Sequence, residues 1–123
     1  MAKYLIDEKP IYRLLIMSEY VSIKEEVLRK LGEHLPEIRE RFFIETLGIF
    51  GSVSRGEDTP ESDVDVLYDF RDGKGNMHTF SDFTQYIEEL LGRDADFVSL
   101  KWISPRLRSY VEKDMIICTE ASA

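Results

Sequence analysis

Residues 63–66 read Asp-Val-Asp-Val, and this alternation constrains the fold more than any other stretch of the chain. Successive side chains of a β-strand point to opposite faces, so Val64 and Val66 fall on one side and Asp63 and Asp65 together on the other. The valines ask for a hydrophobic core under a strand that the following residues extend to Phe70. The aspartates bring two carboxylates together, and each disfavours the ionised form of the other unless a cation compensates. Hard oxygen ligands of this kind suit Mg²⁺ or Mn²⁺.

Magnesium usually keeps several waters and is held by one or two carboxylates plus substrate phosphates, so a phosphate-binding element is expected close by. Phe43, Ile44, Leu47, Ile49 and Phe50 predict a buried strand that runs directly into Gly51-Ser52. Gly51 lets backbone approach an anion without a Cβ, the Ser52 hydroxyl can donate to a phosphate oxygen, and a short helix starting there would aim free N–H groups at it. Arg55 adds a charged donor, with a surface pair to Glu57 or Asp58 as the alternative. Ten residues separate Ser52 from Asp63. Phosphoryl or nucleotidyl transfer by two metals also calls for a further carboxylate, to share a metal or to take the proton of the attacking hydroxyl. Asp96 is the candidate, early in a predicted third strand over 95–100 that would have to neighbour the 63–70 strand.

Each part has a plainer reading alone. Gly-Ser is a common turn, Asp-x-Asp is common at solvated strand ends, Asp58 and Gly56 read as turn residues, Asp94 as a surface turn residue, and Ser54 as structural or solvent-facing. The combination placed between predicted strands carries the chemistry. Phosphate loops of the GxxxxGK[ST] type and GxGxxG turns are absent from the sequence. His34 and His78 stand alone and read as solvent-exposed, and no nucleophile-elbow pattern surrounds Ser52, so zinc-hydrolase and triad readings fare worse.

Elsewhere, Pro10 suits the first turn of a short helix within an apolar segment over 1–20. Ser22 and Glu25 form a capping-box pattern that predicts a helix over 22–33, with Gly32 and Pro36 as its stop and a second short helix over 37–41. Residues 79–92 predict a helix ending at Gly92, Ser104 and Pro105 begin a last helix to about Lys113, and 115–118 suit a short final strand.

At 123 residues the chain suits one domain over 1–123, with 1–21 as an extension and 22–118 as its core. A net charge of -8 argues against non-specific DNA or RNA binding, which Lys and Arg drive. Cys118 is the only cysteine, which excludes an internal disulfide and fits a cytoplasmic protein. The apolar run Leu14–Met17 falls far short of the roughly 20 residues that span a bilayer, and no signal-peptide pattern precedes it.

The stretch LGIFGSVSRGEDTPESDVDVLYDF resembles the minimal nucleotidyltransferases of the DNA polymerase beta superfamily, whose signature is GS, ten residues, then DxD. The resemblance continues through LLGRDADFVSL, where Ala95-Asp96-Phe97-Val98 stands in the place of the family's VDLV-like strand. Val53 and Ser54 depart mildly from the family's usual small residues, and Phe97 replaces its usual Leu. The resemblance implies an α/β (α+β) fold with a mixed sheet and helices mainly on one face. It further implies that Asp63, Asp65 and Asp96 coordinate two Mg²⁺ ions while Gly51 and Ser52 hold ATP. The implied activity is that of an antitoxin moving AMP from ATP onto a tyrosine of a helical HEPN ribonuclease toxin, with Asp96 as general base. The alternatives are a non-catalytic antitoxin that masks its toxin, and a transferase acting on a small hydroxyl compound such as an aminoglycoside. A homo-oligomer is compatible with either.

Overall fold

A computed structural model describes residues 19–120. The helix expected after Pro10 lies outside the described residues. The elements are α1 (Lys24–Phe42), β1 (Ile44–Phe50), α2 (Gly51–Arg55), β2 (Val64–Phe70), α3 (Met77–Leu91), β3 (Ala95–Ser99), α4 (Pro105–Glu112) and β4 (Ile116–Ile117). The four strands form one mixed sheet in the order β3-β2-β1-β4. Both pairs made by β1 are antiparallel, and β2 and β3 are parallel, joined by a crossover through α3.

Helix α1 is one continuous helix where the sequence suggests two, because Gly32 and Pro36 do not stop it. Val27, Leu31, Leu35, Ile38 and Phe42 recur at helical spacing and are all buried. Burying each large apolar side chain contributes about 1.5–3 kcal/mol, and this stripe outweighs the roughly 3 kcal/mol cost of an interior proline. The helix ends at Phe43, a non-glycine residue at φ 59, whose carbonyl accepts from the Arg71 N–H at 2.8 Å. The N-cap is Ile23, without a side-chain hydrogen bond of its own; Ser22, one residue earlier, accepts from the Lys24 N–H at 3.1 Å through Oγ while its hydroxyl donates to Asp58.

Helix α3 begins two residues ahead of the expected Thr79 because the Asn76 side chain accepts from the Thr79 N–H at 2.9 Å, and Gly92 closes it in the left-handed conformation. Ser104 caps α4 as expected, with Pro105 in its first turn. Helices α1 and α3 cover one sheet face, where Ile44, Leu47, Ile49, Val64 and Val66 join Leu31, Leu35, Phe83 and Ile87 in the main core. A register shift between Ile44 and Thr46 lets both Ile44 and Leu47 reach that core. Leu67 and Val111 are fully buried outside this cluster. By alternation Leu67 shares its face with Asp65 and Asp69, the face away from α1 and α3. Among the described residues, no helix is long and apolar enough to cross a membrane.

Candidate nucleotide and metal site

Strand β1 delivers Phe50 opposite Asp65 in the β1–β2 register, so the chain leaves the sheet at Gly51 beside the Asp65 carboxylate. Gly51 has φ +75, and a Cβ there would collide with an Asp65 carboxylate oxygen. Two requirements therefore select glycine, a left-handed backbone and a close approach. The chain then turns through α2, where the Ser54 hydroxyl donates to the Gly51 carbonyl at 2.8 Å and is buried. Of its two expected roles, Ser54 takes the structural one. Ser52 is half-buried on the same turn.

On the other side of β2, the parallel register pairs Asp65 directly with Asp96. Paired residues of adjacent strands share a face, so the two carboxylates stand side by side. Asp63 precedes β2, is exposed, and has the parity of Asp65. Asp65 is half-buried, and burial first, then the charges of Asp96, Asp63 and Asp114, pushes its carboxyl up, with Arg55 opposing. Asp94 is exposed just before β3.

Among the described residues, no three His, Cys, Asp or Glu side chains form a ready-made chelating group. The carboxylates are neighbours across strands rather than a closed cage. That arrangement fits Mg²⁺, which needs only one or two carboxylates when phosphates and water complete its shell. The mutual repulsion on Asp65 is what a divalent cation there would relieve.

Arg55 is engaged from two sides. Its Nε donates to Glu57 at 2.5 Å and its Nη1 to Asp114 Oδ2 at 2.6 Å. The Gly51 N–H donates to Asp114 Oδ1 at 3.4 Å. Nothing in the local sequence marks Asp114, which reaches the site from 63 residues downstream of Gly51.

The loop between α2 and β2 is pinned rather than loose. Asp58, expected in a turn, is buried and accepts from the Tyr20 hydroxyl at 2.6 Å, the Ser22 hydroxyl and the Ile23 N–H at 3.2 Å. Arg93 donates through Nη1 to the carbonyls of Ser62 at 2.8 Å and Thr59 at 3.2 Å, and through Nη2 to the Tyr20 hydroxyl at 3.0 Å. A groove of about 510 Å³ runs beside this loop and touches Asp63, but not Gly51, Asp65 or Asp96. On the same face of β2, buried Asp69 accepts from the Ser99 hydroxyl at 2.6 Å and ties β3 in place.

Residues 24–118 match the family model of the nucleotidyltransferase domain. The chain is 35% identical over 92 residues to the protein adenylyltransferase MntA of Thermococcus cleftensis, covering 75% of this chain and 92% of that one. A solved structure provisionally described as a minimal nucleotidyltransferase superposes with a TM-score of 0.63 at 34% identity, over 74% of this chain and 92% of that chain. A solved complex of a tri-AMPylated Shewanella oneidensis HEPN toxin with its MNT antitoxin shares the fold, with a TM-score of 0.54 at 17% identity over 80% of this chain and 73% of that chain. Strand order, the Gly51 turn closed on Asp65 and the match over residues 24–118 agree that this chain belongs to the nucleotidyltransferase domain family, in its minimal form.

Proposed function

We propose that this chain transfers AMP from ATP to a protein hydroxyl, a tyrosine of a cognate HEPN-domain toxin, and so serves as that toxin's antitoxin. The observation that carries the reading is the register of Asp65 with Asp96 beside the Gly51 turn, which joins a set of hard oxygen donors to an anion-receptive backbone at one end of the sheet. The protein partner is favoured by similarity to MntA, a protein adenylyltransferase, and by the fold shared with an antitoxin whose bound toxin carries AMP.

Gly51 and Ser52 receive the triphosphate, the first through its N–H and the absence of a Cβ, the second through its hydroxyl. Asp63 and Asp65 would hold two Mg²⁺ ions with Asp96, and these would supply neutralisation of charge on the attacking and leaving oxygens. The acceptor hydroxyl oxygen forms a bond to the α-phosphorus, the bond from that phosphorus to the bridging oxygen of the β-phosphate breaks, and pyrophosphate leaves with the electron pair. Asp96 takes the hydroxyl proton.

Incubation with α-labelled ATP, Mg²⁺ and the HEPN partner is expected to label the partner with the wild-type chain. Asp63→Asn and Asp65→Asn are each expected to abolish that labelling. Undiminished transfer by either variant would contradict the assignment.

A further inference from the structure

We propose that Asp114 is an internal competitor of the nucleotide, holding in the free protein the Gly51 N–H and the Arg55 guanidinium that a triphosphate takes when it binds. This rests on the nucleotidyl-transfer reading and adds to it a residue that sets nucleotide affinity.

Position comes from the sheet. Strand β4 pairs antiparallel with β1 through Gly48 with Ile117 and Ile49 with Ile116, and continuing that register brings residue 114 opposite residue 51. The approach is close, since a Cβ on Gly48 would meet the Ile116 carbonyl oxygen at 2.5 Å. The Asp114 N–H donates to the Val111 carbonyl at 3.3 Å, which fixes the turn between α4 and β4. Asp114 is thus built into the sheet edge, and its side chain is only 19% exposed.

The chemistry is that of anion binding. A carboxylate accepting from one backbone N–H and one guanidinium uses the same two donor types that bind phosphate oxygens. The Gly51 contact is long at 3.4 Å and the Arg55 contact short at 2.6 Å, so the charge-assisted pair dominates what must be released. Glu57 holds the other edge of the Arg55 guanidinium at 2.5 Å, so the donor stays anchored when Asp114 lets go. A carboxylate left on these donors would face the triphosphate with like charge, and the two cannot occupy them together.

The test is calorimetric titration of the full chain with magnesium AMP-PNP, comparing wild type, Asp114→Asn and Glu57→Gln. Asp114→Asn is expected to bind about two- to fivefold tighter, the size of freeing one partly exposed charge pair. Glu57→Gln, which removes a charge from Arg55 while leaving Asp114 in place, is expected not to tighten binding. Equal or weaker binding by Asp114→Asn, or equal tightening by Glu57→Gln, would overturn the proposal while leaving the functional reading intact. No binding by any of the three would contradict the functional reading itself. A second measurement on the wild-type chain guards against misfolding of the variant. Saturating AMP-PNP should shift the ¹³Cγ resonance of Asp114 together with the Nη–Hη resonances of Arg55, and an unmoved Asp114 signal would overturn the proposal.

Discussion

A carboxylate buried between a loop and the start of a helix must be matched by donors, and Asp58 is matched by three. Burial alone would push its carboxyl up, but donation from the Ser22 and Tyr20 hydroxyls and the Ile23 N–H outweighs it and holds the carboxyl below the ordinary aspartate range. A group depressed in the folded state stabilises above its unfolded value, roughly 3.9, and that stabilisation is lost as pH falls through the folded value. Asp58→Asn is therefore expected to lower stability by about 1–3 kcal/mol at neutral pH, the cost of spoiling a buried hydrogen-bonded charge. Urea titrations at several pH values should show the gap between variant and wild type closing in acid. A gap that stays constant from neutral pH down through that window would contradict the assignment.

Among the elements, α1 shows where local signals and packing disagree. Pro36 is exposed within the helix, so its ring adds little packing while it leaves the Gly32 carbonyl without its usual partner. Pro36→Ala is expected to stabilise the chain by about 1–2 kcal/mol after the loss of unfolded-state restriction, read as a higher urea midpoint. A lower midpoint would mean that Pro36 packs in a way its exposure does not suggest. The same element explains what the sequence left hidden. Gly32 and Pro36 are stop signals over a few residues, whereas the buried stripe that overrides them spans Val27 to Phe42. The C-terminal end of α3 and the start of α4 were legible because the caps Gly92 and Ser104 act within a few residues. Ser22 was legible only in part, because its contact with the Lys24 N–H is local whereas the acceptor of its own hydroxyl, Asp58, lies 36 residues away.

At the scale of the whole molecule, all four strands bring a residue to one end of the sheet: Gly51 after β1, Asp65 on β2, Asp96 on β3 and Asp114 before β4. The first two stand in one local pattern, GS and DxD, and could be read from spacing alone. Asp96 needed the further expectation that its strand lies beside β2, and the parallel pairing of Asp65 with Asp96 is the structural fact behind it. Asp114 was illegible because only the pairing of a two-residue strand with β1 brings it there. The most direct measurement is the single-turnover rate of AMP transfer from ATP to the proposed HEPN-domain acceptor by wild type and Asp96→Asn, with nucleotide binding followed in parallel. The variant is expected to bind nucleotide but to transfer about 100-fold more slowly or worse, as loss of a proton acceptor demands. Transfer by Asp96→Asn at the wild-type rate would contradict the role given to this end of the sheet.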